Sequence, residues 1–287
     1  MQPLRVITIV LSVLLLLPGC AFRRITRSKN ITYLPADTIR KIPAQQLNIY
    51  APHRHNEAEL KDVLVYIYGG NWTSGKRSLY NWFGSRLARK GVVAVVIDYP
   101  KSPLADYQVM AADAARSLDW VKAHIADYGG NAERIFVSGH SAGGHLAALI
   151  TVDERYFKEA GIINPVKGLI LIDAAGLDMY GYLKDRGLAE DPSKARTFST
   201  DPKVWKDATP LYHLRPGVPP MLIFRGGRTY PSILKGNEKF VAALKELGAS
   251  PVYHVLPRKK HIPMITQFFN TGNPGYGEIL RFMQGVR

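Results

Sequence analysis

The run Gly139-His140-Ser141-Ala142-Gly143 sets a serine between two glycines. Before it lies the β-branched, apolar stretch Arg134-Ile135-Phe136-Val137-Ser138, and after it Leu146, Ala147, Ala148, Leu149 and Ile150 at helical spacing. A strand, a sharp turn and a helix lift a serine hydroxyl clear of its surroundings, where it can serve as a nucleophile. Gly139 and Gly143 are what such a turn needs, because strand and helix cross too closely for Cβ atoms. The Ala142 N–H, at the start of the helix, favours developing negative charge. A second N–H donor for the same oxyanion is expected from Gly70 or Asn71, in the turn Gly69-Gly70-Asn71. The base expected for Ser141 is His261, five residues past the last strand-like run Val252–Leu256. A neutral imidazole near pH 7 takes the serine proton and returns it to the leaving group. His140 and His145 flank the serine and are read as supports of the turn; His53, His55, His124, His213 and His254 lack a comparable address.

These groups need a frame. Val63–Tyr68, Val92–Ile97, Leu169–Ile172 and Met221–Phe224 are short apolar runs suited to strands buried on both faces. Trp82–Lys90, Asp106–Tyr128 and Leu234–Leu247 read as helices, each stopped by glycine. Strands alternating with helices predict a mainly parallel sheet covered on both faces, with its active groups at the strands' carboxyl ends. Residues 179–215 are long and weakly periodic, as a cap over a substrate site would be. Gly275–Met283 is expected to close the chain as a helix. With 287 residues, one large domain over 46–287 is expected.

The first residues read differently. Arg5 precedes the apolar run Val6–Leu17, followed by Pro18-Gly19-Cys20. A basic head, a short apolar stretch and a small residue before a cut site describe a secretory signal over 1–19. The run resembles the lipobox of bacterial lipoproteins, with Pro18 as a departure. That resemblance implies lipidation of Cys20, a tether over 20–45, and a place on the periplasmic side of a bacterial cell envelope. Cys20 is the only cysteine, so no disulfide or thiolate metal site is expected. The formal charge is +15. No nucleic-acid motif accompanies it, and Arg23, Arg24, Arg27 and Lys29 are placed to meet anionic lipid. Oligomeric state has no signature.

Tyr66-Ile67-Tyr68-Gly69-Gly70-Asn71-Trp72, Asp98-Tyr99, Trp120-Val121 and Gly139–Leu146 together resemble the alpha/beta-hydrolase superfamily. Within it they are similar to the carboxylesterase and kynurenine-formamidase-like (BD-FAE-like) branch. The resemblance covers most of residues 45–285. It implies the alpha/beta-hydrolase fold and a serine hydrolase working through an acyl-enzyme on small carboxylic esters, without metal or organic cofactor. An amide hydrolase, or a weakened relative that only binds, is the alternative. Two positions depart from the family pattern. Tyr68 stands where the loop usually has histidine. Thr229, in Gly226-Gly227-Arg228-Thr229, stands where the family places its acid. The nearest substitutes are Asp173 and Asp178, with Asp178 preferred for its setting in Ala175-Gly176-Leu177-Asp178, and Glu238 a weaker option; a Ser–His dyad also stays open.

Overall fold

A computed structural model describes residues 24–53, 59–186 and 192–286. Its centre is a sheet of eight strands: β1 (Ile25–Leu34), β2 (Gln45–Pro52), β3 (Lys61–Ile67), β4 (Val93–Ile97), β5 (Gly130–His140), β6 (Val166–Ile172), β7 (Met221–Gly226) and β8 (Val252–Leu256). Their spatial order is β1-β2-β4-β3-β5-β6-β7-β8. The pairs from β4 through β3, β5, β6 and β7 to β8 are parallel, whereas β1 and β2 join antiparallel at one edge. Val63–Ile67 in β3 and Val93–Ile97 in β4 are wholly buried, as runs covered by helices on both faces must be.

The helices are α1 (Asn81–Arg89), α2 (Tyr107–His124), α3 (Ala142–Val152), α4 (Arg155–Glu159), α5 (Met179–Arg186), α6 (Pro192–Phe198), α7 (Pro202–Asp207), α8 (Pro231–Glu246), α9 (His261–Thr266) and α10 (Pro274–Gly285). Asp106 caps α2 by accepting the Val109 N–H at 2.9 Å. α3 is buried along its whole length, which its run of Ala, Leu and Ile allows. Among the described residues no helix is long and apolar enough to cross a membrane.

One segment departs from expectation. Residues 25–34 are not part of a tether but strand β1, hydrogen-bonded along β2. Half of its residues are exposed and only Tyr33 is buried, so its sequence carries little apolar signal. It is held by Tyr33, whose hydroxyl donates to the Asp98 carbonyl at 2.7 Å, and by Asn30, whose N–H donates to Asn48 Oδ1 at 2.9 Å. The expected leader over 1–19 and Cys20 lie outside the described residues.

The parallel register decides what meets what. Ile67 pairs with Gly139, His140 with Ile172, Ile172 with Phe224, and Gly226 with Leu256. The first residues beyond β5 and β6, Ser141 and Asp173, therefore stand side by side at the carboxyl edge of the sheet.

Candidate active site

Ser141 links β5 to α3 with φ +55° and ψ −124°, a conformation costly for any residue with a side chain. The crossing is as tight as the glycines suggested. A Cβ on Gly139 would lie 2.3 Å from the Gly143 carbonyl oxygen, and one on Gly143 would lie 2.1 Å from that of Ile67. Larger residues at either position would push the strand and helix apart.

His261 opens α9 and is almost buried. Its Nε2 lies 2.9 Å from Ser141 Oγ, and its Nδ1 lies 2.6 Å from Asp173 Oδ2. With Nδ1 protonated toward the carboxylate, Nε2 is left to accept the serine proton. Asp173 is completely buried and sits at φ +48°. Its Oδ1 accepts the Gly226 N–H at 2.7 Å, and its Oδ2 also accepts the Thr229 hydroxyl. Those hydrogen bonds compensate for burying the charge.

Asp178, the preferred acid from the sequence, does not reach His261. It starts α5 instead, accepting the Gly181 N–H at 3.0 Å and pairing with Lys239. The reason is register: Asp173 is the first residue past β6, whereas Asp178 lies a further turn of chain away. Glu238 faces Arg225 at 3.4 Å on α8 and is likewise elsewhere. The signal that marks Asp173 is its place at the end of Leu169–Ile172, equivalent to that of Ser141 at the end of its own strand. Thr229 does occupy the neighbourhood expected for the acid, but as a donor to Asp173.

The remaining histidines of the serine turn are structural, with their roles set by burial. His140 stacks on the His261 ring at 4.7 Å, and its Nε2–H donates to the His261 carbonyl at 3.3 Å. Burial, reinforced by the neighbouring His261, drops its pKa to about 3. His145 accepts the Trp72 indole N–H at 3.1 Å and donates from Nε2 to the Ala208 carbonyl at 2.7 Å. Burial lowers its pKa to about 4. It thereby ties three parts together: the glycine loop, helix α3 and the segment after α7.

Gly70 has φ +145°, and Asn71 and Trp72 have φ +53° and +61°, so the loop after β3 turns sharply beside Ser141. Tyr68, in place of the loop histidine, is buried against Tyr99 and donates to Asp98 Oδ1 at 3.0 Å. Lys194 on α6 donates to Asn71 Oδ1 at 2.8 Å. Ser141, His261, Gly70 and Asn71 all line one cavity of about 1040 Å³. Its lining includes the apolar side chains of Leu79, Trp82, Ile262 and Phe269; Trp82 and Phe269 stack at 4.1 Å. The lining also carries Asp178, Tyr182, Asp185, Lys194 and Lys235, three of them from the 179–215 segment.

The BD-FAE family model matches residues 47–230 of this chain. A protein named a probable carboxylic ester hydrolase from Mycobacterium tuberculosis is 33% identical over 214 residues, covering 69% of this chain and 48% of its own. A probable isoprenylcysteine alpha-carbonyl methylesterase from Arabidopsis thaliana is 28% identical over 246 residues, covering 78% and 50%. The chain thus spans about half the length of the curated relatives it matches. Among solved structures, the butyrate-bound esterase Est2 of Thermogutta terrifontis superposes with a TM-score of 0.68 at 25% identity, over 91% of this chain and 95% of that one. Esterase B of Lactobacillus rhamnosis, with an inhibitor bound, gives a TM-score of 0.76 at 18% identity, over 91% and 87%, and shares the fold.

Proposed function

Because this chain belongs to the BD-FAE family and has the alpha/beta-hydrolase fold, we propose that it is a serine hydrolase of carboxylic esters. The observation that carries the reading is one continuous hydrogen-bonded line, Ser141 Oγ to His261 Nε2 and His261 Nδ1 to Asp173 Oδ2, opening on the cavity. In this reading Ser141 Oγ attacks the ester carbonyl while its proton passes to His261 Nε2. Asp173 keeps the imidazole in the needed tautomer and stabilises the imidazolium. The N–H groups of Ala142 and of Gly70 or Asn71 hold the oxyanion. His261 then protonates the departing alkoxide, leaving an acyl-Ser141. A water that gives its proton to His261 attacks the acyl carbon and releases the acid and the free serine. An ester with a short acyl or alkoxy part and an apolar remainder along Trp82 and Phe269 suits a cavity whose lining is part apolar and part charged.

The test is turnover of p-nitrophenyl acetate and butyrate by the wild-type protein and by Ser141→Ala. Activity that falls by about 10⁴-fold or more in the variant is expected. Equal, low rates in both would sink the reading. The alternative of a weakened, binding-only relative rests on the absent acid at position 229, and the Asp173 carboxylate beside His261 Nδ1 supports the hydrolase reading instead. Amide hydrolysis is distinguished by comparing kcat/KM for matched formamides and esters. We further propose that Cys20 carries a lipid holding the domain at an envelope membrane on its periplasmic side. The basic head, apolar run and cysteine of the first residues support this. Incorporation of labelled palmitate that disappears in Cys20→Ser is the expected result.

A further inference from the structure

Asp173 does not stand alone. The turn from β7 to α8 wraps around it: Gly226 gives its N–H to Oδ1 and Thr229 its hydroxyl to Oδ2, while the Tyr230 ring sits 5.1 Å from the His261 ring. The same turn is laced to the chain that delivers His261. The Gly227 N–H donates to the Leu256 carbonyl at 2.8 Å and the Arg228 N–H to the Lys259 carbonyl at 3.0 Å. Thr229 is buried. Its hydroxyl and the His261 Nδ1–H meet at a single oxygen, so each limits where that oxygen can sit. A carboxylate has about four acceptor directions, and here three are filled by donors from β7, the following turn and α9.

We infer that Thr229 is a positioning residue of this site: its hydroxyl orients the carboxylate that holds His261. The inference rests on the ester-hydrolase reading. The Thr229 oxygen is one hydrogen bond from Asp173 Oδ2, which is one hydrogen bond from His261 Nδ1. It is thus within about 5–6 Å of the ring nitrogen.

The experiment is a set of three variants, each compared with wild type by thermal melting and by ester kinetics. T229V, which keeps the shape and removes the hydroxyl, is expected to lose about 10- to 100-fold in kcat with little change in KM. T229S restores the hydroxyl and recovers most of that loss. D173N loses about 10⁴-fold. T229V at the wild-type kcat, or T229S as impaired as T229V, overturns the positioning role. If T229V does not fold, T229A replaces it, and a wild-type kcat in that variant overturns the inference. A readout independent of turnover separates this from the ester reading. The far-downfield proton resonance of the His261 Nδ1–H···Asp173 bond is expected in wild type and T229S, shifted in T229V, and absent in D173N. An unshifted resonance in T229V overturns the inference even where no ester is cleaved.

Discussion

Asp173 and Asp178 follow the same strand and do different work because their neighbours differ. Asp173 faces three donors and no solvent, whereas Asp178 faces a helix N-terminus and a half-exposed lysine. Asp173→Asn is therefore expected to lower kcat by about 10⁴-fold without unfolding the protein, since asparagine tolerates the positive φ. Asp178→Asn is expected to stay within a few-fold of wild-type kcat and to cost under about 1 kcal/mol, because asparagine still caps a helix and the Lys239 pair reaches solvent. Steady-state kinetics on the two variants side by side check both expectations; equal losses would contradict them. Ser141 and His261 could be read as neighbours from chain order alone. The acid could not, because Ala175–Asp178 looks more like a turn motif than the bare Asp173 does. Strand register, which no local pattern shows, is what selects Asp173.

At the scale of elements, the serine turn depends on one close crossing. Gly143→Ala is expected to destabilise the fold by about 1–3 kcal/mol or more, since the clash is with the Ile67 and Tyr68 backbone, which cannot swing aside as a side chain would. Chemical denaturation checks this, and an unchanged midpoint would contradict it. The crossing was legible because it leaves a glycine signature. The central strands were legible too, because burial on both faces leaves an unbroken apolar run such as Val63–Ile67. Strand β1 was not. An edge strand pinned by Tyr33 and Asn30 needs few apolar residues, so Ile25–Leu34 reads as a polar linker.

At the scale of the whole molecule, two buried histidines tie stability to pH. In the fold, the pKa values of His140 and His145 are about 3 and about 4, below the ordinary 6.5 for histidine. Between those values the unfolded chain binds more protons than the folded one. Stability is therefore greatest above about pH 6.5 and falls as the pH drops toward 4, each histidine contributing a slope of about 1.4 kcal/mol per pH unit. His145→Gln is expected to flatten that decline by about half of the histidine share, read as unfolding free energy from pH 7 to pH 4.5. An unchanged slope would contradict the assignment. His145 also joins the glycine loop to the segment after α7, so acid is expected to loosen the cavity walls along with the fold.

Covalent capture addresses the central claim most directly. Treating the protein with a fluorophosphonate and mapping the modified peptide by mass spectrometry is expected to find a single adduct on Ser141, abolished in Ser141→Ala and slowed by orders of magnitude in Asp173→Asn. A folded wild-type protein that takes no adduct, or takes it on another residue, would show that the serine at this bend is not a nucleophile.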